Sequence, residues 1–180
     1  MCLCTQGKIP PLKAFTGEAI YLDGQEPDHN EVVHRRTQYW QPYHSALHAE
    51  LVRIKQQHGK VLLWEGHSIQ PGLPFLFEGK LPDLNLGTAN GASFPNEFLN
   101  TFTDILSQQL HYTWVSNGRF KGGYITRHYA EPDARIYAFQ LELSQSAYMD
   151  NSFKHFDAEK AAPVQDLIKQ LMHTGIDLLE

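Results

Sequence analysis

The chain has 180 residues, of which 42% are apolar, which is enough for one globular domain with a buried core. Fifteen Lys and Arg against twenty Asp and Glu give a formal net charge of -5, and without a basic cluster this argues against a nucleic acid or an anionic membrane as partner. We therefore expect a small-molecule substrate.

The N-terminal part carries few structural signals. No apolar run reaches the roughly 18 to 20 residues that span a bilayer, and no signal-peptide pattern is present, so we expect a cytoplasmic protein. Cys2 and Cys4 are too close together for an easy disulfide and too few for a thiolate zinc site. Residues 1–27 predict an irregular lead-in with at most a short extended piece at 19–22. We expect the first unit of the fold to lie upstream of Met1.

Residues 28–58 predict a helix that is interrupted near Pro42. A capping box marks its start, apolar residues recur at helical spacing, and Gly59 provides the stop. His44 and His48 lie one helical turn apart, a spacing at which two imidazoles can share a metal ion. With no adjacent third ligand, the pattern favours a polar helix face instead.

Residues 61–70, VLLWEGHSIQ, predict a buried strand over 61–64 that runs into a polar loop. Open α/β folds place their chemistry where strands end, which makes His67 the first candidate for a functional residue. A surface histidine that is hydrogen-bonded to a neighbour is the alternative. Residues 66–96 predict a long loop packed on the body of the domain. Four of its polar or small residues could contact a ligand or only form turns: Asn85, Gly87, Thr88 and Ser93.

A helix over 95–110 and a strand over 112–115 are predicted next. The loop 117–123, NGRFKGG, sets two cations among three glycines, which suits close approach to an anionic group and equally suits a simple turn. In 124–129, YITRHY, Arg127 lies in an apolar segment where a solvated charge would be out of place. This placement suggests a clamp for a substrate carboxylate, because guanidinium groups pair with carboxylates through two parallel hydrogen bonds.

Residues 135–143 predict the clearest strand, with side chains alternating between two faces. Glu142 closes a half-apolar face at the end of this strand. Partial desolvation there would raise the pKa of its carboxyl group toward values suited to a general base, whereas an exposed strand edge is the alternative. Residues 157–174 predict a final helix that stops at Gly175.

Several segments together resemble one family, the N-formylglutamate amidohydrolases, also called N-formylglutamate deformylases. The similarity extends over nearly all 180 residues. The matching runs are YWQPYHSAL (39–47), LLWEGHSI (62–69), LFEGKLPDLNLGTANGAS (76–93), NGRFKGGYITRHY (117–129) and LELSQSAYMD (141–150). No single run identifies the family, but five runs in the family's order do.

The resemblance implies a single α/β domain over 1–180, with a mixed central sheet, flanking helices and a zinc-carboxypeptidase-like (phosphorylase/hydrolase-like) fold. It also implies zinc-dependent hydrolysis of N-formyl-L-glutamate to formate and L-glutamate, the last step of a histidine degradation route. His67 falls on the family's metal ligand and Glu142 on its catalytic glutamate. Three residues fall in the run expected to hold the substrate's carboxylates: Arg127, Asn117 and Arg119.

This sequence departs from the family pattern at two places. Glu65 stands where the family usually has Asp, so we expect it to support the metal ligand without touching the metal. The family also carries an N-terminal portion with a His-Ser-Gly type motif and a further acidic ligand. We expect that portion upstream of Met1, which would make this chain a C-terminal portion of the domain, incomplete at the N-terminus, with an unpaired sheet edge. A truncated non-catalytic remnant or ligand-binding module, and a zinc hydrolase of another N-acyl acidic amino acid, are the alternatives.

Overall fold

The structure, a computed structural model, describes residues 11–14 and 16–180, so Cys2 and Cys4 lie outside the described residues. The strands are β1 (Val61–Ile69), β2 (Leu84–Gly87), β3 (Trp114–Ser116) and β4 (Ile136–Ser144), and the α-helices are α1 (His29–Arg35), α2 (Gln41–His58), α3 (Asn96–Gln108), α4 (Tyr124–Tyr129) and α5 (Ala158–Asp177). Within those ranges the strands form one mixed sheet in the order β1-β4-β2-β3. The predicted α/β class with flanking helices is confirmed.

Strand β4 lies at the centre of the sheet. It runs parallel to β1 from the pair Val61 and Ile136 to the pair Ile69 and Ser144, and antiparallel to β2 on its other side. The prediction that the first strand ends at 64 is wrong, because pairing with β4 continues to Ile69 through polar residues. In the part of the chain that the structure describes, β1 pairs with no strand other than β4, so its second edge is open.

One face of the sheet holds the main apolar core beneath α3 and α5. The rings of Phe94, Phe102 and Phe139 meet there, with centroids 5.1 to 5.4 Å apart. Helix α5 continues through Gly175, the predicted stop, because this glycine is buried against β1 and a Cβ at that position would lie only 3.0 Å from Leu62. Gly175 therefore serves close packing of the helix on the sheet.

The N-terminal helical region matches its prediction with one difference. Asp28 caps α1 by accepting a hydrogen bond from the Glu31 backbone, at 2.8 Å, and Gly59 ends α2 with a φ of 79°. Between the two α-helices, residues Arg36–Trp40 form a π-helical turn. The expected interruption near Pro42 is thus a change of winding within a continuous helical segment.

The opposite face of the sheet carries a polar row between two apolar clusters. The first cluster joins β1 and β4 to α2 and α4, and the second packs the 69–81 segment against Phe120. The row between them consists of Glu65 and His67 on β1 and of Gln140 and Glu142 on β4. Within residues 11–14 and 16–180, no helix has both the length and the apolar character needed to cross a membrane.

Candidate active site

Glu142 is a buried acidic residue of the polar row. It lies on an internal strand and is 6% exposed, so the alternative of a solvent-exposed strand edge is excluded. Its direct partners across the sheet are His67 on β1 and Asn85 on β2. Burial raises the pKa of Glu142 above the ordinary value for Glu, while the nearby His67 and a hydrogen bond from Gln140 act in the opposite direction. The net rise is the direction that favours proton acceptance near neutral pH.

His67 lies inside strand β1 and hydrogen-bonds to Glu65 on the same face. The distance between His67 Nε2 and Glu65 Oε1 is 2.9 Å. The hydrogen bond to Glu65 raises the pKa of the imidazole, burial lowers it, and the charges of Glu65 and Glu142 add to the rise. The structure therefore brings together three of the predicted site residues: His67, Glu65 and Glu142.

Glu65 also connects His67 to helix α4. Its second oxygen, Oε2, accepts hydrogen bonds from the Thr126 backbone, at 3.1 Å, and from the Thr126 hydroxyl. Burial alone would raise the pKa of Glu65, but the hydrogen bonds from His67 and Thr126 outweigh it and hold that pKa below the ordinary value. Both oxygens of this carboxylate are thus engaged, one on the imidazole and one on the helix.

The hydrogen bond to Glu65 determines which ring nitrogen of His67 is available. An ionised carboxylate only accepts hydrogen bonds, so in the neutral imidazole Nε2 carries the proton and Nδ1 keeps its lone pair. A histidine that ligates a metal usually donates its other N–H to a carboxylate in this way. The geometry of His67 therefore fits a metal ligand that binds through Nδ1.

The described residues do not complete a metal site. A catalytic zinc normally has three protein ligands. Over 11–14 and 16–180, no group of three or more His, Cys, Asp or Glu side chains is placed to hold a metal ion. His67 and Glu142 fit one ligand and one base of such a site. Of the other pair considered, His44 and His48, His44 hydrogen-bonds Tyr129 through Nδ1 at 2.6 Å, which is a structural role on the helix face.

The predicted cations lie on exposed surfaces near the row. Arg127 is exposed on α4 and donates a hydrogen bond to the Gly122 carbonyl. Contrary to the prediction, the charge of Arg127 does not lie in an apolar environment, because the segment folds as a helix with an exposed side. Arg119 is also exposed, and its guanidinium lies 4.9 Å from the centroid of the Phe77 ring. Neither side chain is tied to a carboxylate in the described residues.

The side chain of Asn117 hydrogen-bonds to the 88–90 segment of the protein. Its Oδ1 accepts hydrogen bonds from the Thr88 backbone at 2.9 Å and from the Asn90 backbone at 3.2 Å, and its Nδ2 donates to the Thr88 hydroxyl at 2.8 Å. The turn that it holds contains two successive non-glycine residues with positive φ, Ala89 at 51° and Asn90 at 56°. Such a conformation persists only where its surroundings enforce it. Asn117 supplies that support.

Strand β2 lies where the sequence predicted a loop, and it holds the segment 117–123, the glycine loop, in position. A Cβ on Gly87 would lie 2.4 Å from the Gly122 nitrogen, so only glycine allows this approach of the two backbones. A hydrogen bond from the Ala89 backbone to the Lys121 carbonyl, at 2.6 Å, fastens the same contact. The loop 117–123 is therefore fixed beside the polar row.

One residue of the polar row and one residue that contacts it from α4 were missed from the sequence. Gln140 is 2% exposed and bonds Glu142, and Thr126 is fully buried and bonds Glu65. Gln140 had a usable signal, since it lies two residues before Glu142 on a strand and therefore on the same face. Thr126 had none, because its contact depends on the docking of α4 against β1.

Comparison with known proteins identifies close relatives. A sequence model described as N-formylglutamate amidohydrolase matches residues 4–149. The N-formylglutamate deformylase of Pseudomonas putida is 44% identical over 163 residues, which are 90% of this chain and 61% of that protein. The N-formylglutamate deformylase of Pseudomonas aeruginosa is 39% identical over 165 residues, 91% of this chain and 62% of that protein. The chain thus spans about three fifths of the length of these curated relatives.

Solved structures share the fold. The N-formylglutamate amidohydrolase of Ralstonia eutropha JMP134 aligns with a TM-score of 0.72 at 22% identity, over 90% of this chain and 57% of that chain. The gene product Atu2144 of Agrobacterium tumefaciens aligns with a TM-score of 0.68 at 16% identity, over 97% of this chain and 67% of that chain. These likenesses establish a single-domain α/β fold with a mixed sheet.

Proposed function

The chain belongs to the N-formylglutamate amidohydrolase family, and from that membership we propose that it performs zinc-dependent hydrolysis of N-formyl-L-glutamate to formate and L-glutamate. The observation that carries the proposal is the direct pairing of His67 with a buried Glu142 whose pKa is raised. The printed names of the relatives support the substrate. A cytoplasmic location and a place at the end of histidine degradation belong to the same proposal.

Glu142 acts as the general base. It takes a proton from the attacking water and passes it to the departing amine of glutamate. Gln140 donates a hydrogen bond to Oε2 of this carboxylate, at 3.0 Å, so the other oxygen is left to receive the proton. Burial supports this role, because a carboxylate with a raised pKa holds a proton more readily.

His67 would hold the zinc through Nδ1, since Nε2 is hydrogen-bonded to Glu65. When bound, zinc supplies a Lewis acid for the formyl group and an activated water. Glu65 fixes the tautomer and the orientation of the imidazole, and Thr126 fixes Glu65 in turn. The hydrogen bonds from His67 to Glu65 and from Thr126 to Glu65 are made within this chain.

Cations offset the two negative charges of the substrate. Burying an uncompensated carboxylate costs several kcal/mol, and guanidinium groups bind carboxylates in a bidentate manner. Arg119, within the loop 117–123, and Arg127, on the helix α4 that follows it, carry exposed guanidinium groups and are assigned to the two carboxylates. Asn117 contributes by holding the 88–91 turn and the loop in place.

Glu142→Gln tests the proposal. The variant keeps the shape of the side chain and an acceptor for Gln140 but cannot take a proton, so formate release should fall by about 100-fold or more. Zinc content, measured by elemental analysis, should not change. Glu50→Gln on the exposed face of α2 is the matched control and should retain full turnover. Near-normal turnover in Glu142→Gln would contradict the role of this residue.

A second function is a non-catalytic ligand-binding module of the same fold. It is favoured by the finding that the described residues hold no group of three metal-ligating side chains. It predicts binding of N-formyl-L-glutamate in calorimetry with no formate release. A related hydrolase for another N-acyl acidic amino acid is distinguished by comparing the rates on formyl, acetyl and succinyl glutamate.

A further inference from the structure

Gln140 forms a bridge between Glu142 and the glycine loop. Its Nε2 donates a hydrogen bond to Glu142 Oε2 at 3.0 Å, and its Oε1 accepts one from the Gly123 backbone at 2.7 Å. The side chain is 2% exposed, so water does not compete for either bond. The amide nitrogen of Gln140 is therefore bonded to Glu142, and the amide oxygen is bonded to the glycine loop.

The orientation of this amide is fixed by its partners. A carboxylate oxygen accepts and a backbone N–H donates, so a reversed amide would face donor against donor at Gly123 and acceptor against acceptor at Glu142. Leaving buried polar groups unpaired in this way is strongly unfavourable. Gln140 therefore holds one oxygen of Glu142 at a position that depends on the position of Gly123.

The start of helix α4 contacts both halves of the polar row. A Cβ on Gly123 would lie 3.4 Å from Gln140 Oε1 and 3.5 Å from Glu65 Oε1. Three residues later, Thr126 donates to the Glu65 carboxylate that bonds His67. One short segment thus supports the base through Gln140 and the imidazole through Glu65.

We propose that Gln140 is a positioning residue that couples the Gly122–Gly123 turn to Glu142. The catalytic consequence rests on the proposed hydrolysis, whereas the bridge itself does not. A displacement of the turn is transmitted through the amide to the carboxylate. A buried glutamine that only satisfied its own hydrogen bonds would stabilise the fold without linking the loop to turnover.

Two substitutions distinguish the contribution of the hydrogen bond to Gly123 from that of the hydrogen bond to Glu142. Gln140→Met keeps the length of the side chain and removes both hydrogen bonds. Gln140→Glu keeps an acceptor for the Gly123 N–H and replaces the amide donor with a second carboxyl group, which shares one proton with Glu142 because two buried carboxylates this close cannot both ionise. Ser144→Ala is the control, since Ser144 is a fully buried polar residue on the same strand that bonds Ser146 and not Glu142.

Amide hydrogen exchange of Gly123, followed by NMR, measures how well the hydrogen bond from Gly123 to Gln140 is protected. Exchange should accelerate about tenfold in Gln140→Met and stay near the wild-type rate in Gln140→Glu. Steady-state kinetics on N-formyl-L-glutamate measure the effect of the hydrogen bond between Gln140 and Glu142 on turnover. The kcat should fall about tenfold or more in both variants, while the KM of Gln140→Glu stays within about threefold of wild type, because its loop remains in place. Ser144→Ala should change neither quantity.

Equal kcat values in wild type and both variants would overturn the proposal, as would unchanged Gly123 exchange in Gln140→Met. If the unmodified chain releases no formate, the proposed function fails and the bridge is decided by exchange alone. In that case Glu142→Ala should alter Gly123 exchange in the wild-type background and leave it unaltered in the Gln140→Met background. An equal effect of Glu142→Ala in both backgrounds would refute coupling through Gln140.

Discussion

Glu65→Gln is expected to reverse the tautomer of His67. Glu65 accepts hydrogen bonds at both oxygens, from His67 Nε2 at 2.9 Å and from the Thr126 backbone at 3.1 Å. A glutamine offers one acceptor and one donor in the same place. Because the Thr126 N–H can only donate, the amide oxygen should face Thr126 and the amide N–H₂ should face the imidazole. His67 Nε2 then becomes the acceptor and Nδ1 takes the proton.

The structure sets the size of this effect. The opposite amide orientation leaves the buried Thr126 N–H without a partner, at a cost of about 1 to 3 kcal/mol, so the orientation toward Thr126 is preferred roughly fivefold or more. The Glu65 side chain is 11% exposed, so solvent screens its charged hydrogen bonds little. Replacing them with neutral ones should cost about 1 to 2 kcal/mol, a decrease in Tm of roughly 2 to 8 °C.

Long-range ¹H–¹⁵N NMR of the imidazole, together with thermal melts, measures both effects. The wild type should show a proton on Nε2 and the variant a proton on Nδ1, and zinc affinity should fall about 10- to 100-fold as the lone pair of Nδ1 is lost. Glu50→Gln, which alters an exposed ion pair with Arg53, is the control and should leave the Tm and the His67 tautomer unchanged. Retention of the Nε2 proton in Glu65→Gln with an unchanged Tm would refute the reasoning.

Three further outcomes follow from the packing and from the pKa shifts. Gly87→Ala should destabilise the fold by about 1 to 3 kcal/mol in urea, since its Cβ would meet the Gly122 nitrogen at 2.4 Å, whereas Gly72→Ala, with its nearest neighbour at 3.9 Å, should be tolerated. Phe102→Ala should cost about 3 to 5 kcal/mol in the same assay, because the ring is fully buried, and a smaller loss than in Gly72→Ala would contradict the packing. Glu142→Gln should stabilise the fold at about pH 8 but not at about pH 4. The pKa of Glu142 is raised above 4.5, so the folded state retains that proton and the wild type loses free energy of unfolding as the pH rises above 4.5. Equal stabilisation at both pH values would contradict the raised pKa.

The sequence was informative where local periodicity and tertiary packing agree. Helices α2, α3 and α5 show an apolar stripe, and β4 shows alternation, so each was predicted close to its observed bounds. The period of two along β4 also placed Glu142 on a defined face. His67 was identified for a partly wrong reason, since it lies within a strand and not in the loop after one.

Features created by pairing left no local signal. Strand β2, LNLG, is short and rich in turn-forming residues, and it becomes a strand because β3 and β4 lie on either side of it. The length of β1 was missed for the same reason, as Glu65 and Gly66 are weak strand formers held by the ladder with β4. Gly175 continues a helix because small size is needed against Leu62. Each error arose where a neighbouring element, absent from the local sequence window, decided the conformation.

Formate release from N-formyl-L-glutamate by the purified 180-residue chain tests the central claim most directly. The proposal predicts formate and L-glutamate in equal amounts, turnover that is lost on chelation and restored by zinc, and loss of both zinc and turnover in His67→Ala. A folded, zinc-supplemented chain that binds N-formyl-L-glutamate and releases no formate would contradict it.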